Sequence, residues 1–345
     1  MTCRAPAPRR PLRYVLVLGV LAALLAVAVL AALALGSVRI PPGQVLDILT
    51  GRAEASPFRT IVLDVRLPRV LLGIVVGAGL AVIGTVLQAL VRNQLADPFL
   101  LGVSSGASTG AVLVIVLGIG ASLATTVTIP AAAFAGALLS LLLVYTLARG
   151  GGITTSRLVL AGVAVSYVLS ALTSLILVTS ARADHLQEVL YWTLGGLGAA
   201  RWDMLALPAV TLAAGTAVLL TLARPLDLLL VGEEGATVLG LDTARFRAAV
   251  FVLASLMTGV LVAYSGAIGF IGLMVPHMAR MAVGAAHRAL LPVVALGGAV
   301  FLLLADLAAR TLAAPQDIPV GVLTALTGGP FFLWMLRRRP EGAPA

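Results

Sequence analysis

The sequence predicts an all-α polytopic membrane protein with about ten transmembrane helices and both termini on the cytoplasmic side. Three observations predict it. Of 345 residues, 60% are hydrophobic and 11% charged, which leaves too little polar surface to cover a water-soluble globule and assigns most of the exterior to lipid. The apolar residues fall in runs near the roughly 20 residues that one helical crossing needs. The arginines lie between those runs and favour one side by about two to one, the side that the positive-inside rule makes cytoplasmic.

The elements follow in chain order. A cytoplasmic tail, 1–14, precedes a first span at 15–36. That span follows Arg9, Arg10 and Arg13 as a signal peptide would, but its apolar core exceeds the usual signal core of about 7–15 residues, so it is expected to be retained. The second span lies at 70–91. The uncharged tract from Pro98 to Ala148 is too long for one crossing and long enough for two, turning in the Gly/Ser/Thr-rich stretch near Gly118 to Thr128. Spans five and six are 158–180 and 204–222. The tract 248–285 reads as two short crossings, and 288–308 and 318–336 complete the ten before a cytoplasmic tail at 337–345.

Awkward residues inside apolar runs mark candidate sites. The stretch GFIGLMVPHMAR, Gly269 to Arg280, carries Pro276, His277 and Arg280, and each is costly in lipid. Their place near the cytoplasmic end of the eighth span suits either a helix end with a snorkelling arginine or a cytoplasmic gate or ATPase contact. Asp306 and Arg310, four apart, share a helix face in the favourable acid-first order and read as an intramembrane pair. The chain has no lysine, so the phosphate-binding motif G-x-x-x-x-G-K-[ST] is excluded. His185, His277 and His287 have no ligand spacing, and Cys3 is the sole cysteine. No metal, cofactor or catalytic site is expected. A net charge of +9 would suggest nucleic acid in a soluble protein, but here it reads as topology.

The segment RLPRVLLGIVVGAGLAVIGTVLQALVRNQLADPFLLGVSSGAS, Arg66 to Ser108, resembles the permease subunits of ABC importers of the FecCD/BtuC type, which carry iron-siderophores, haem or cobalamin. Further blocks match in order: YWTLGGLGAARW at 191–202, LDLLLVGEEGATVLGLDTARFR at 226–247, GAIGFIGLMVPHMAR at 266–280, HRALLP at 287–292, LLLADLAAR at 302–310 and DIPVGVLTALTGGPFFLWML at 317–336. Two positions depart: Asp317 replaces the usual Glu, and Gln94 replaces a proline. The resemblance implies an inverted repeat of spans 2–5 and 7–10, consistent with the odd number of crossings between their first members. It implies a second permease subunit, identical or paralogous, two ABC ATPases on the cytoplasmic side and an extracytoplasmic substrate-binding protein, in a bacterial cytoplasmic membrane, with a ferric siderophore as the expected cargo. It further implies that Gly232, Glu233, Glu234, Ala236, Leu239 and Gly240, in a coupling loop at 226–247, contact the ATPase through paired short helices, and that Arg66, Arg69 and Arg310 dock the binding protein. An ion-coupled secondary carrier is the rival reading, for which Asp306 is the sole acid at depth.

Overall fold

The computed structural model describes residues 10–52, 57–118, 125–149, 155–180, 182–314 and 316–337. The expected tails therefore lie largely outside the described residues, as does most of the turn expected near Gly118 to Thr128.

Among the described residues every regular element is helical. In chain order these are α1 (Arg10–Ala34), α2 (Pro42–Leu49), α3 (Pro57–Thr60), α4 (Leu67–Val91), α5 (Val103–Leu117), α6 (Thr125–Arg149), α7 (Thr155–Ser180), α8 (Ala183–Thr193) and α9 (Ala206–Thr221), followed by α10 (Ala223–Val231), α11 (Glu233–Val238), α12 (Thr243–Ser265), α13 (Ile271–Val283), α14 (His287–Thr311) and α15 (Val320–Arg337). Among the described residues, seven helical stretches are long and apolar enough to cross a membrane, and three shorter apolar helices lie at Val103–Leu117, Ile271–Val283 and Val320–Met335. Each of the ten apolar regions read from the sequence holds one of these helices.

Two local differences have physical causes. The second span does not begin at 70: a π-helical turn at Ile61–Arg66 joins α3 to α4, so helix runs continuously over Pro57–Val91. Arg59, Asp64, Arg66 and Arg69 interrupt the hydropathy there, and Pro68, which has no N–H to donate, follows the wider i→i+5 winding that the Leu67 N–H makes to Val62 O. The third span starts at Val103 rather than 98, because Asp97 caps a 3-10 turn at Pro98–Leu101 by accepting from Phe99 N–H at 2.9 Å.

The order of burial sets the architecture. α4 is central and mostly buried, whereas α1 lies at the edge, packing one stripe that includes Val17, Leu21, Leu25 and Ala28 on α14 and leaving its other faces exposed. α4 packs on α12, α13 and α14, and α12 packs on α4, α5 and α6. Those sets correspond under exchange of α4–α7 with α12–α15. So do the pairs α5·α6 with α13·α14, α5·α7 with α13·α15, and α6·α7 with α14·α15. Small residues allow the closest approaches: a Cβ added at Gly84 would overlap the backbone of Gly272, so α4 and α13 touch main chain to main chain.

Candidate functional site: ion cluster, helix break and polar link along one bundle

Four charged groups converge at the end of the bundle where α4 starts and α14 stops. Asp306, fully buried, accepts from Arg69 Nε at 3.0 and 3.2 Å, and Arg69 Nη2 lies 2.9 Å from the same carboxylate. Arg310 Nε is 3.1 Å from the other oxygen, and Arg310 Nη2 donates to Ala32 O at 3.1 Å. Arg69 Nη1 also bonds Asp317 at 2.6 Å. The cluster thereby ties α1, α4, α14 and the approach to α15 together. Asp306 and Arg310 do pair as their spacing predicts, but as half of a four-group cluster with Arg69, remote in sequence, and Asp317, which follows the end of α14.

Arg66 and Arg69 belong to different bonding networks. Arg66 is buried and donates to Leu33 O at 2.6 Å and Val38 O at 2.5 Å, closing the end of α1. It belongs to the π-helical turn, whose wider winding rotates it away from the face that carries Arg69.

Midway along α4 the bundle is broken. α12 stops at Ser265 and α13 starts at Ile271, while Gly196 N–H donates to Ser265 O at 2.8 Å and Gly321 N–H to Gly195 O at 3.4 Å, so the 195–196 turn and the head of α15 lock against the break. Phe270, just before α13, takes a left-handed conformation (φ 69°) that a bulky residue rarely adopts. Asp97 accepts from Phe99 N–H beside it, and burial outweighs the favourable backbone N–H groups of Phe99 and Phe270 and pushes the Asp97 carboxyl up to about 6.

Beyond the break, Gln88 of α4 joins α13 twice: its amide donates to Gly272 O at 3.1 Å and its oxygen accepts from Arg280 Nη1 at 2.5 Å. Pro276 is buried within α13, and His277 meets Phe331 of α15 edge-on with ring centroids 6.1 Å apart. Arg280 thus does more than snorkel. Gln88 was the missed partner, although a lone glutamine in the run 70–91 was a signal that could have found it.

At that same end, α10 and α11 project between α9 and α12 as two short helices. Gly232 (φ 119°) joins them and Gly240 (φ 87°) closes α11. Ala236 is buried and Glu234 exposed; Glu233 opens α11, with its side chain outside the described residues. Val238 and Leu239 are 87% and 63% exposed. His287 at the start of α14 bonds Asp227 of α10, Nδ1 to Oδ1 at 2.6 Å, so the short helices are joined to the span that carries Asp306. Sequence reading had passed over this link, and neither residue signals it alone. Among the described residues no three His, Cys, Asp or Glu side chains converge as a metal site requires.

The likeness of this arrangement to known proteins is specific. The FecCD transport family profile matches residues 24–338. The chain belongs to the FecCD transport family. It is 47% identical over 284 residues to the cobalamin import system permease protein BtuC of Halobacterium salinarum, covering 81% of this chain and 74% of that one. With the hemin transport system permease protein HmuU of Yersinia pestis it shares 46% identity over 281 residues, 81% and 84% of the two chains. A solved transporter assigned to the metal-chelate ABC type, in an inward-facing conformation, superposes with a TM-score of 0.82 at 32% identity, covering 93% of this chain and 99% of that one. This FecCD chain is therefore a multi-pass ABC importer permease, of a family that works with ATPase subunits and a binding protein.

Proposed function

We propose that the chain crosses a bacterial cytoplasmic membrane ten times, N-in and C-in, and pairs with a second permease subunit to move a metal chelate inward, driven by two separate ATPase subunits. The observation that carries this reading is the α10–α11 pair. Val238 and Leu239 stand almost bare on a polar, charged loop at the end of the bundle, where exposed apolar side chains call for a protein partner. Gly232, Glu233, Glu234, Ala236, Leu239 and Gly240 then form the contact with the ATPase, and Asp227–His287 passes its motion to α14. The matched pairings of α4–α7 and α12–α15 support an inverted repeat. Pro276, His277 and Arg280, held through Gln88, form the cytoplasmic gate of this reading.

The ion cluster then faces outside, and Arg66, Arg69 and Arg310 act on the binding protein through the mouth they frame. Their guanidinium groups already have partners within the chain, so docking by an acidic surface would have to compete for Arg69, whose side chain is 13% exposed. The relatives described above are named for cobalamin and hemin transport. A tetrapyrrole chelate is accordingly the first cargo to test, with the ferric siderophore expected from the sequence as the comparison. Mass spectrometry of what the cognate binding protein retains, followed by uptake of that compound into proteoliposomes, tests the reading. Uptake that proceeds without the ATPase chains, driven by a proton or sodium gradient, would overturn it in favour of a carrier.

A further inference from the structure

A cavity of about 450 Å³ opens on the flank of the bundle between α1, α13 and α14, and every side chain around it is apolar, among them Val17, Leu21 and Leu24 of α1, Met278 of α13 and Phe301 of α14. It adjoins a second cavity of about 640 Å³, where Arg13, Tyr14 and Arg280 meet the turn from Gly284 to Ala286; Ala282 lines both. Among the described residues no acidic side chain lines either cavity. An apolar slot that ends in a basic, tyrosine-rimmed mouth has the chemistry of one class of molecule in a membrane, a phospholipid with an anionic head group.

We infer that the slot between α1 and α13–α14 is a phospholipid site, with one acyl chain in the apolar cavity and the head-group phosphate on Arg13. Three observations support it beyond the apolar lining. Leu16, Val20 and Leu24 of α1 and Met278 of α13, on the rim of the cavity, are exposed apolar side chains, so the cavity opens on an apolar outer surface of the bundle, as a lipid-facing slot does. Arg13 is held over the mouth by the bond from its Nη2 to Met281 O at 3.1 Å, which leaves it anchored to α13 rather than swinging free. Finally, the mouth lies at the cytoplasmic boundary in the orientation proposed above, where anionic lipids attract arginine and tyrosine settles at head-group level. Because α13 also carries the Arg280–Gln88 bond, a lipid wedged between α1 and α13 would set how far α13 can lean away from α4.

The experiment uses the full purified chain in mild detergent, equilibrated with vesicles of equal parts phosphatidylglycerol and phosphatidylcholine, with retained lipid identified by native mass spectrometry. Retention of phosphatidylglycerol over phosphatidylcholine is expected, falling about tenfold or more in Arg13→Glu, a change at an exposed side chain. Leu21→Trp, which fills the apolar cavity, is expected to lower retention of both lipids. Equal retention of the two lipids by the unaltered chain, or preference unchanged in Arg13→Glu, overturns the assignment. None of these readouts depends on the cargo or on membrane orientation, so they stand apart from the proposed transport function.

Discussion

Asp306→Asn is expected to destabilise the permease by stranding a cation. The carboxylate is fully buried and serves two guanidinium groups, with Arg69 at 2.9–3.2 Å and Arg310 at 3.1 Å. Asparagine keeps the volume and one acceptor but no charge. Arg69 retains Asp317 at 2.6 Å, on a carboxylate that is 45% exposed and thus partly screened. Arg310, 7% exposed, keeps only Ala32 O. The cost falls mainly on Arg310, and breaking one side of a buried pair costs about 3–5 kcal/mol. Removing the stranded charge as well, in Asp306→Asn with Arg310→Met, should recover much of it, because replacing a whole buried pair with apolar groups is often near neutral. The thermal midpoint of the purified chain, followed by fluorescence-detected size exclusion over a double-mutant cycle, reports the coupling directly. A single variant that melts with the unaltered chain, or two substitutions whose losses simply add, would refute the reasoning.

Three further outcomes are expected. Glu233→Arg with Leu239→Asp leaves the chain folded but uncouples it, so that ATPase activity of the assembled importer no longer rises with loaded binding protein; normal stimulation and uptake would count against α11 as the contact. Gln88→Ala removes both bonds between α4 and α13 and should lower the thermal midpoint by the loss of a charge-assisted hydrogen bond, about 1.5–3 kcal/mol, with a raised basal ATPase rate in the assembly; a change in neither would return Arg280 to a snorkelling role. Asp97 has its acid form favoured by the fold, about 6 against an ordinary 3.8, so its contribution is most favourable below 3.8 and is lost as pH rises through 6. Asp97→Asn should therefore raise stability at pH 7.5 by at most roughly 3 kcal/mol, less for a side chain in partial contact with solvent, seen as a higher thermal midpoint, and give no gain at pH 4; a gain equal at both values would refute the assignment.

What could be read from the sequence divides along a physical line. Apolar length is a local property, so the ten apolar regions were legible, and the motif G-E-x-x-A-x-x-L-G marked where α11 falls between its two positive-φ glycines. The charged helical lead into α4 was not legible, because Arg59, Asp64, Arg66 and Arg69 erase the hydropathy signal of a helix that runs from Pro57. Pairings were legible only at helical spacing. Asp306–Arg310 could be read from an interval of four, whereas Arg69 reaches the same carboxylate from 237 residues away, and no local pattern carries that. Gln88, Asp97 and the Asp227–His287 link have the same cause: each is an ordinary polar residue until the fold brings its partner.

The break before α13 shows how the chain spends conformational strain. α5 and α13 occupy matching places in the two halves, and each starts from a residue in the left-handed region, Gly102 (φ 74°) in one half and Phe270 (φ 69°) in the other. Glycine adopts that conformation freely, whereas a side chain there costs roughly 1–2 kcal/mol. One contact offsets the cost at Phe270: its ring fills the space that Gly328 leaves open on α15, where any Cβ would overlap it. Phe270 is half-buried, so its ring contributes part of the about 1.5–3 kcal/mol that fully burying a phenylalanine gives, and it does so only while α15 stays in place. The half that holds Phe270 is also the half that carries Arg280, His277 and Asp306. Its helix start is thus conditional on the position of α15, whereas the start of α5 is not, and the two halves of one repeat are unequal in how easily they move.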